Sequence, residues 1–405
     1  MRPFCPARQA RAGKAAARTM TKSRNSKILY AAFAVLMAVL GASDALRGVL
    51  APVFKAHFAL SMSQVSMVVT ASYAGNFVFL FFGGKVLDRA PRKPAVLLCG
   101  LVWAAAVSLF ALTDSYPCLL AGMFFALGAS TLLGTAVTLT TPLLFASSPA
   151  TLVNVLFFVQ GIGTVSSQGI AGSRVTGFGA WRAVNVLLLC LGVAAMGVIL
   201  FCRFPQKSAA VKRVPPVKVR VNRTFLAMLL IFGFYFIAEH GVMNWLVSYA
   251  MSEFSLPQGT AAGYTAAFFA CVMGGRFLFG PLTDRLGVFR CMKLFSAAAA
   301  VLYAAGVLLG AGGLWLLAAS GVFFSILYPT LVFSVSLLWP AEVSSGVCGT
   351  LLSVASLAEI GFNAGFGRLV DLAGFRTSFW IMPLSMAACA ALLFLLCKRK
   401  SGARA

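Results

Sequence analysis

Long apolar runs alternate with short polar turns along nearly the whole chain. The runs fall at 28–53, 62–87, 94–112, 117–146, 151–172, 181–203, 224–250, 261–283, 291–310, 313–338, 343–368 and 376–397. A helix needs about 20 apolar residues to cross the hydrocarbon layer. The pattern therefore predicts an all-α membrane protein with twelve transmembrane helices. Gly, Ser and Thr recur inside the runs, as close packing of helices in lipid requires.

Two of the runs close on the same phrase. Gly84-Lys85-Val86-Leu87-Asp88-Arg89 ends the second, and Gly280-Pro281-Leu282-Thr283-Asp284-Arg285 ends the eighth. The two aspartates lie 196 positions apart in a chain of 405. The spacing predicts two copies of one six-helix bundle, an arrangement typical of transporters. Between them, 204–223 is polar and basic and carries Pro205, Pro215 and Pro216. It reads as a solvated linker. The expected organisation is a basic, disordered tail (1–27), a first bundle (28–203), the linker (204–223), a second bundle (224–397) and a basic tail (398–405).

Composition agrees with the bilayer. Hydrophobic residues make up 60%, charged residues 10%, and mean hydropathy is +0.92. The net charge of +24 would fit nucleic acid if it were spread evenly. It is instead gathered before the first run, after the second, in the linker, after the eighth and in the tail. With twelve crossings all of these lie on one side, while Lys55, Arg174, Arg182, Arg368 and Arg376 remain on the other. That is the positive-inside bias. It predicts a cell-membrane protein with both termini cytoplasmic and no nucleic-acid partner. The first run is read as an uncleaved span, not a secretory signal, and Met20 is an alternative start. The ten cysteines are scattered, without a C-x-x-C pair or histidine cluster, and read as small buried hydrophobes. No metal site, phosphate-binding loop, cofactor or enzymatic motif is expected.

The repeated Gly-x-x-x-Asp-Arg loops, with Arg92 and Lys93 after the first and Gly287 and Arg290 after the second, resemble the signature of the major facilitator superfamily. Gly179-Ala180-Trp181-Arg182 resembles another of its features. The first copy departs from the pattern, since Pro91 stands where glycine is usual. The resemblance implies gating by Gly84, Asp88, Arg89, Arg92, Gly280, Asp284 and Arg285. Arg89, Arg92 and Lys93 serve equally well as topology determinants.

An ionisable group inside a span is costly, and its default reading is functional. Asp44, Glu239 and Glu359 are the acids inside spans; their basic counterparts are Arg47 and Arg276, with His240. Asp44 lies 44 positions before Asp88 and Glu239 lies 45 before Asp284. The two acids thus occupy matching positions in the two copies. We expect Asp44, Glu239 and Glu359 to carry protons. The alternatives are a structural Asp44–Arg47 pair and helix-packing roles for the glutamates. Ser356, Glu359 and Asn363 share a helical stripe.

Several stretches resemble the fucose–proton symporter group of sugar permeases. They are Phe234 to Glu239 with Trp245-Leu246 and Tyr249, Asn154 with Gln160-Gly161-x-Gly163, and Gly321-x-x-x-Ser325-x-x-Tyr328-Pro329-Thr330. The resemblance implies import of a sugar or similar small polar solute with protons. The expected substrate residues are Asn154, Gln160, Tyr235, Asn244, Trp245, Arg276, Tyr328 and Asn363. Thr131, Thr135 and Thr138 line one face of the fourth helix, or simply glue helices together. The group's carboxylate in the fourth span is missing here, as is the Gly-Pro signature of antiporters in the fifth. Gly274-Gly275-Arg276 also resembles carriers of monocarboxylates, which leaves an organic-anion carrier using Arg47 and Arg276 as the alternative. A monomer is expected.

Overall fold

A computed structural model describes residues 6–83, 90–145, 149–204 and 221–402. Every element among the described residues is helical. Eleven helices are long and apolar enough to cross a membrane: α1 (Arg24–Val49), α2 (Met62–Gly83), α3 (Arg92–Leu112), α4 (Tyr116–Leu144), α5 (Leu152–Arg174), α6 (Phe178–Phe201), α7 (Arg223–Phe254), α8 (Gln258–Phe279), α9 (Val288–Leu308), α10 (Gly310–Leu338) and α11 (Gly346–Ser378). A shorter apolar helix, α12 (Ile381–Cys397), completes twelve. An even number of antiparallel crossings puts both chain ends on one face, called here the terminal face. The other is the distal face.

The duplication read from the loops recurs in the packing. α1 packs on α5 and α6, α2 on α4, and α3 on α4 and α6; α7 packs on α11 and α12, α8 on α10, and α9 on α10 and α12. The halves meet along three seams, α1 with α7, α2 with α11, and α5 with α8. Close approach needs small residues: at Gly48 an added Cβ would lie 2.7 Å from the Asn244 Cα. Leu98, Leu101 and Leu372 are more than half exposed, as side chains turned to lipid should be.

Local differences from the sequence reading have local causes. The apolar run to residue 53 divides, because the backbone leaves the helix at Leu50 and Pro52 sits in the first turn of a new short helix, Ala51–His57. Toward the chain start the backbone is helical from Pro6, where the composition reads as a disordered tail. The expected gap after residue 368 is instead helical to Ser378, broken at Gly374 (φ 75°, ψ 166°). The two repeat turns differ in hand. Gly287 has φ 81° at the start of α9, whereas Pro91 has φ −60° at the start of α3. Proline cannot reach positive φ, so the first turn is built another way.

Candidate functional site: a polar seam, a cavity and a latch

Polar side chains that are far apart in sequence converge where α1, α2, α7 and α11 meet. The Arg47 guanidinium lies 4.7 Å from the Tyr73 ring centre and donates to its hydroxyl at 3.1 Å. The same hydroxyl accepts from the Asn244 amide at 3.2 Å, across the seam. Tyr73 stacks on His240 (5.6 Å, 29°), and Phe236 stacks there too (5.6 Å, 16°). His240 Nδ1 is 2.7 Å from Glu359 Oε1, and His240 Nε2 is 4.0 Å from Glu239 Oε2. Neither His240 Nδ1 nor Glu359 Oε1 completes an aligned hydrogen bond, so this is a charge contact more than a directional bond. Glu359 and Arg47 are almost fully buried. Lone ions there would cost several kcal/mol each, which is why they meet opposite charges and ring faces.

Glu359 is held by its own helix and by α7. The Asn363 amide donates to the Glu359 carbonyl (3.0 Å) and accepts from Trp245 Nε1 (3.0 Å). Asp44 points elsewhere. It accepts from Ser130 of α4 at 2.7 Å, in a narrow space bounded by Phe110, Trp181 and Asn185 of the same half.

A cavity of about 530 Å³ lies between α5, α8 and α10. Its wall is largely apolar, with Phe157, Phe158, Met273, Phe277, Ile326, Pro329 and Phe333. Asn154, Thr283 and Thr330 add polarity, and Arg276 brings a full charge. The guanidinium donates through Nε to the Ser325 carbonyl at 3.4 Å. Thr283 and Phe333 are near the terminal-face ends of their helices, so the cavity belongs to that half of the membrane.

On the distal face the halves are tied together. The Asp371 carboxylate of α11 accepts from Met62 N (3.0 Å) and Ser63 N (2.8 Å), the first amides of α2. Ser61 and Gln64 form a capping box on the same turn. All the free amides of that helix start are thereby used, two of them by the opposite half. A Cβ at Gly367 would collide with the Met62 carbonyl, so the helices are as close as backbones allow. At the second seam Gln258 of α8 donates to the Gly172 and Val175 carbonyls that end α5, at 2.9 and 2.7 Å.

The expected site residues divide into three groups. Asn154 and Arg276 line the cavity. Asn244, Trp245, Asn363, Glu239 and Glu359 belong to the buried seam network, while Tyr235 stacks on Tyr328 (6.3 Å) beside it. Gln160 packs against Gly41 where α1 and α5 cross. Thr131, Thr135 and Thr138 each donate to the carbonyl four residues back in their own helix. Of the gating residues, Gly84, Asp88 and Arg89 lie outside the described residues, as do the side chains of Gly280 and Asp284. Arg92 opens α3, and Arg285 is exposed in the last turn of the helix Gln258–Leu286, which extends α8 beyond its apolar part. Sequence reasoning missed Tyr73, Ser130 and the Asp371 latch. Tyr73 is one aromatic among many in apolar runs, and Asp371 reads as an ordinary loop acid. It also missed Gln168, fully buried with both amide ends unpartnered, in a π-turn of α5 (Ser167–Ala171).

Residues 32–362 match the family model described as Major Facilitator Superfamily. The chain belongs to that superfamily. Its described helices are those of a multi-pass membrane protein of this superfamily. Among sequence relatives, the cis,cis-muconate transport protein of Acinetobacter baylyi is 25% identical over 249 residues, covering 58% of this chain and 60% of that protein. The chain spans no more than 60% of the length of the curated relatives it matches. Many solved structures share the fold. The xylose transporter XylE of E. coli in its inward open conformation superposes with a TM-score of 0.75 (12% identity; 90% of this chain, 95% of that one). FucP, the E. coli fucose:proton symporter, in its outward conformation gives 0.62 (18% identity; 92% and 99%).

Proposed function

We infer that this transporter carries a small organic anion with an apolar body, together with protons, by rocking its two halves about the polar seam. The cavity is the observation that supports this reading most. Seven apolar side chains surround one guanidinium, an amide and two hydroxyls, which suits a carboxylate on a hydrophobic frame. The guanidinium fork matches a carboxylate in two-point fashion. The amides and rings nominated for a sugar are largely occupied by one another in the seam. The muconate relative carries an organic acid, which is in keeping with this reading.

A sugar is the second reading. Asn154 with Thr283 and Thr330, next to the Phe157 and Phe158 rings, supplies the neutral donors and flat faces that a sugar requires. The resemblance to the fucose–proton symporter group favours it as well.

The titratable groups of the seam would take the proton. A monoanion crossing with one proton moves no net charge, so the pH gradient alone drives its uptake, at about 1.36 kcal/mol or tenfold accumulation per pH unit. A neutral sugar moving with one proton would draw in addition roughly 2.3 kcal/mol from about 100 mV. The excess of Lys and Arg at the terminal face supports an orientation in a cell membrane with that face toward the cytoplasm. The cavity then faces inward, with the outer gate shut by Asp371 and Gln258. The repeated loops with Arg92 and Arg285 are assigned to the inner gate, and the working unit is a monomer.

Proteoliposome uptake tests the solute. Labelled cis,cis-muconate and benzoate are expected to enter under an inward proton gradient, while xylose and fucose do not. Sugar uptake that survives Arg276→Lys, without anion uptake, would overturn the first reading in favour of the second. Glu239→Gln should abolish uphill uptake and spare counterflow exchange. Unchanged uphill transport in that variant would remove Glu239 from the coupling.

A further inference from the structure

The basic side chain that touches both buried glutamates is His240. Its Nδ1 is 2.7 Å from Glu359 and its Nε2 is 4.0 Å from Glu239. A nitrogen lone pair set against a carboxylate oxygen at 2.7 Å would be repulsive, so Nδ1 carries a proton whether the ring is neutral or charged, and the proton that binds and leaves is the one on Nε2, facing Glu239.

We propose that His240 is the proton-binding site of the transporter, and that its occupancy determines how firmly the halves are joined. The other groups near the ring fit this assignment. Helix α1 contributes Arg47 within electrostatic reach, α2 contributes the Tyr73 phenol, α7 contributes Phe236 and Glu239, and α11 contributes Glu359. Tyr73 is the seam residue: it binds Arg47 of its own half and Asn244 of the other, and it lies against the histidine ring. With His240 charged, Glu359 is compensated within its own half and Arg47 is left to Tyr73 and Asp44. With His240 neutral, Glu359 loses its counter-charge and competes with Tyr73 and Asp44 for Arg47, which loosens the phenol that bridges the halves. Proton binding thus favours the joined distal face of this structure. A carrier that loads its proton from the distal side and then closes that side would need this sign.

The inference rests on alternating access and not on the identity of the solute. The chain has two histidines, so His57→Gln leaves His240 as the sole histidine signal. In full-length ¹⁵N-histidine-labelled protein in nanodiscs, His240 is expected to pass from imidazolium to neutral ring as pH rises from 5 to 9. Glu359→Gln is expected to weaken proton binding about tenfold, the effect of removing an adjacent opposite charge. Spin labels at positions 112 and 309, both exposed at distal ends of opposite halves, report the gate in a cysteine-free background. The distance between them should shorten at low pH in the parent and in His57→Gln, and be independent of pH in His240→Gln. A ring that stays neutral throughout, or a pH response that survives His240→Gln, overturns the proposal. Should His240→Gln fail to fold, the titration of the unaltered His240 decides alone. Absence of anion uptake would sink the solute reading and leave both readouts as they are.

Discussion

Asp371→Asn should shift the resting equilibrium toward a parted distal face, by an amount that the local geometry sets. The carboxylate takes two amides of α2 at 3.0 and 2.8 Å, from the opposite half. Hydrogen bonds to a charged group contribute about 1.5–3 kcal/mol where water is excluded. Here the latch lies at an exposed helix start, and water satisfies the same amides once the halves part. A value near that of an ordinary helix cap, about 1 kcal/mol, is therefore the right scale, with the helix dipole included. Asparagine keeps one acceptor oxygen and loses the charge and the second acceptor. The expected change is about fivefold in the open-to-closed ratio, at 1.36 kcal/mol per tenfold. Asp371→Ala should reach about 5- to 30-fold. Double electron–electron resonance between labels at 112 and 309 reads the two populations directly. Gly367→Leu provides a steric control, since its side chain has no room against the Met62 carbonyl. Unchanged distance distributions in Asp371→Ala, in a protein that responds to Gly367→Leu, would show that the carboxylate contributes nothing to holding the gate.

Four further outcomes are expected. Arg276→Gln should weaken anion binding by about 10- to 100-fold, the worth of a charged hydrogen bond, while Arg276→Lys should retain part of it; isothermal titration with muconate checks both. Tyr73→Phe keeps the stack on His240 but orphans the Arg47 and Asn244 donors, at about 1–3 kcal/mol, and should lower the thermal inactivation temperature measurably. Trp245→Phe should cost at least as much, about 1–3 kcal/mol, because it orphans the buried Asn363 oxygen and empties part of a fully buried site. Outside the membrane, the hydrogen bond from His57, with the charges of His57 and Arg182 behind it, holds the Asp114 carboxyl below its usual range. A lowered carboxyl stabilises the fold above the unfolded value near pH 4, and that contribution is lost as pH falls through the folded value. Inactivation temperatures of the parent and Asp114→Asn should therefore differ at pH 6 and converge in acid; a constant difference would contradict this.

Much of the architecture was legible because lipid constrains sequence so strongly. Each span must satisfy its backbone internally and present apolar side chains to the hydrocarbon, so helix number and class follow from hydropathy. The duplicated loops then marked the two halves, and the packing pairs of α1–α6 do recur in α7–α12. Helix ends were less legible: the charged stretch from Arg368 to Arg376 reads as a gap, yet the backbone stays helical to Ser378 and is broken only at Gly374.

The site itself divides along the same line. Sequence alone identified which buried residues carry charge, because in an apolar run every ionisable group stands out: Asp44, Arg47, Glu239, His240, Arg276 and Glu359. It could not say which of them meet. Matching positions in the repeats pair Asp44 with Glu239, yet Asp44 turns to Ser130 inside its own half, and the seam is made by Arg47, Tyr73, His240 and Glu359. Helix rotation and crossing decide that, through contacts such as Gly48 against Asn244 that depend on the whole packing. The Asp371 latch is the clearest case. A carboxylate one turn from a helix end is unremarkable in sequence, and only the meeting of α11 with the start of α2, some 308 residues away, gives it two amides to hold.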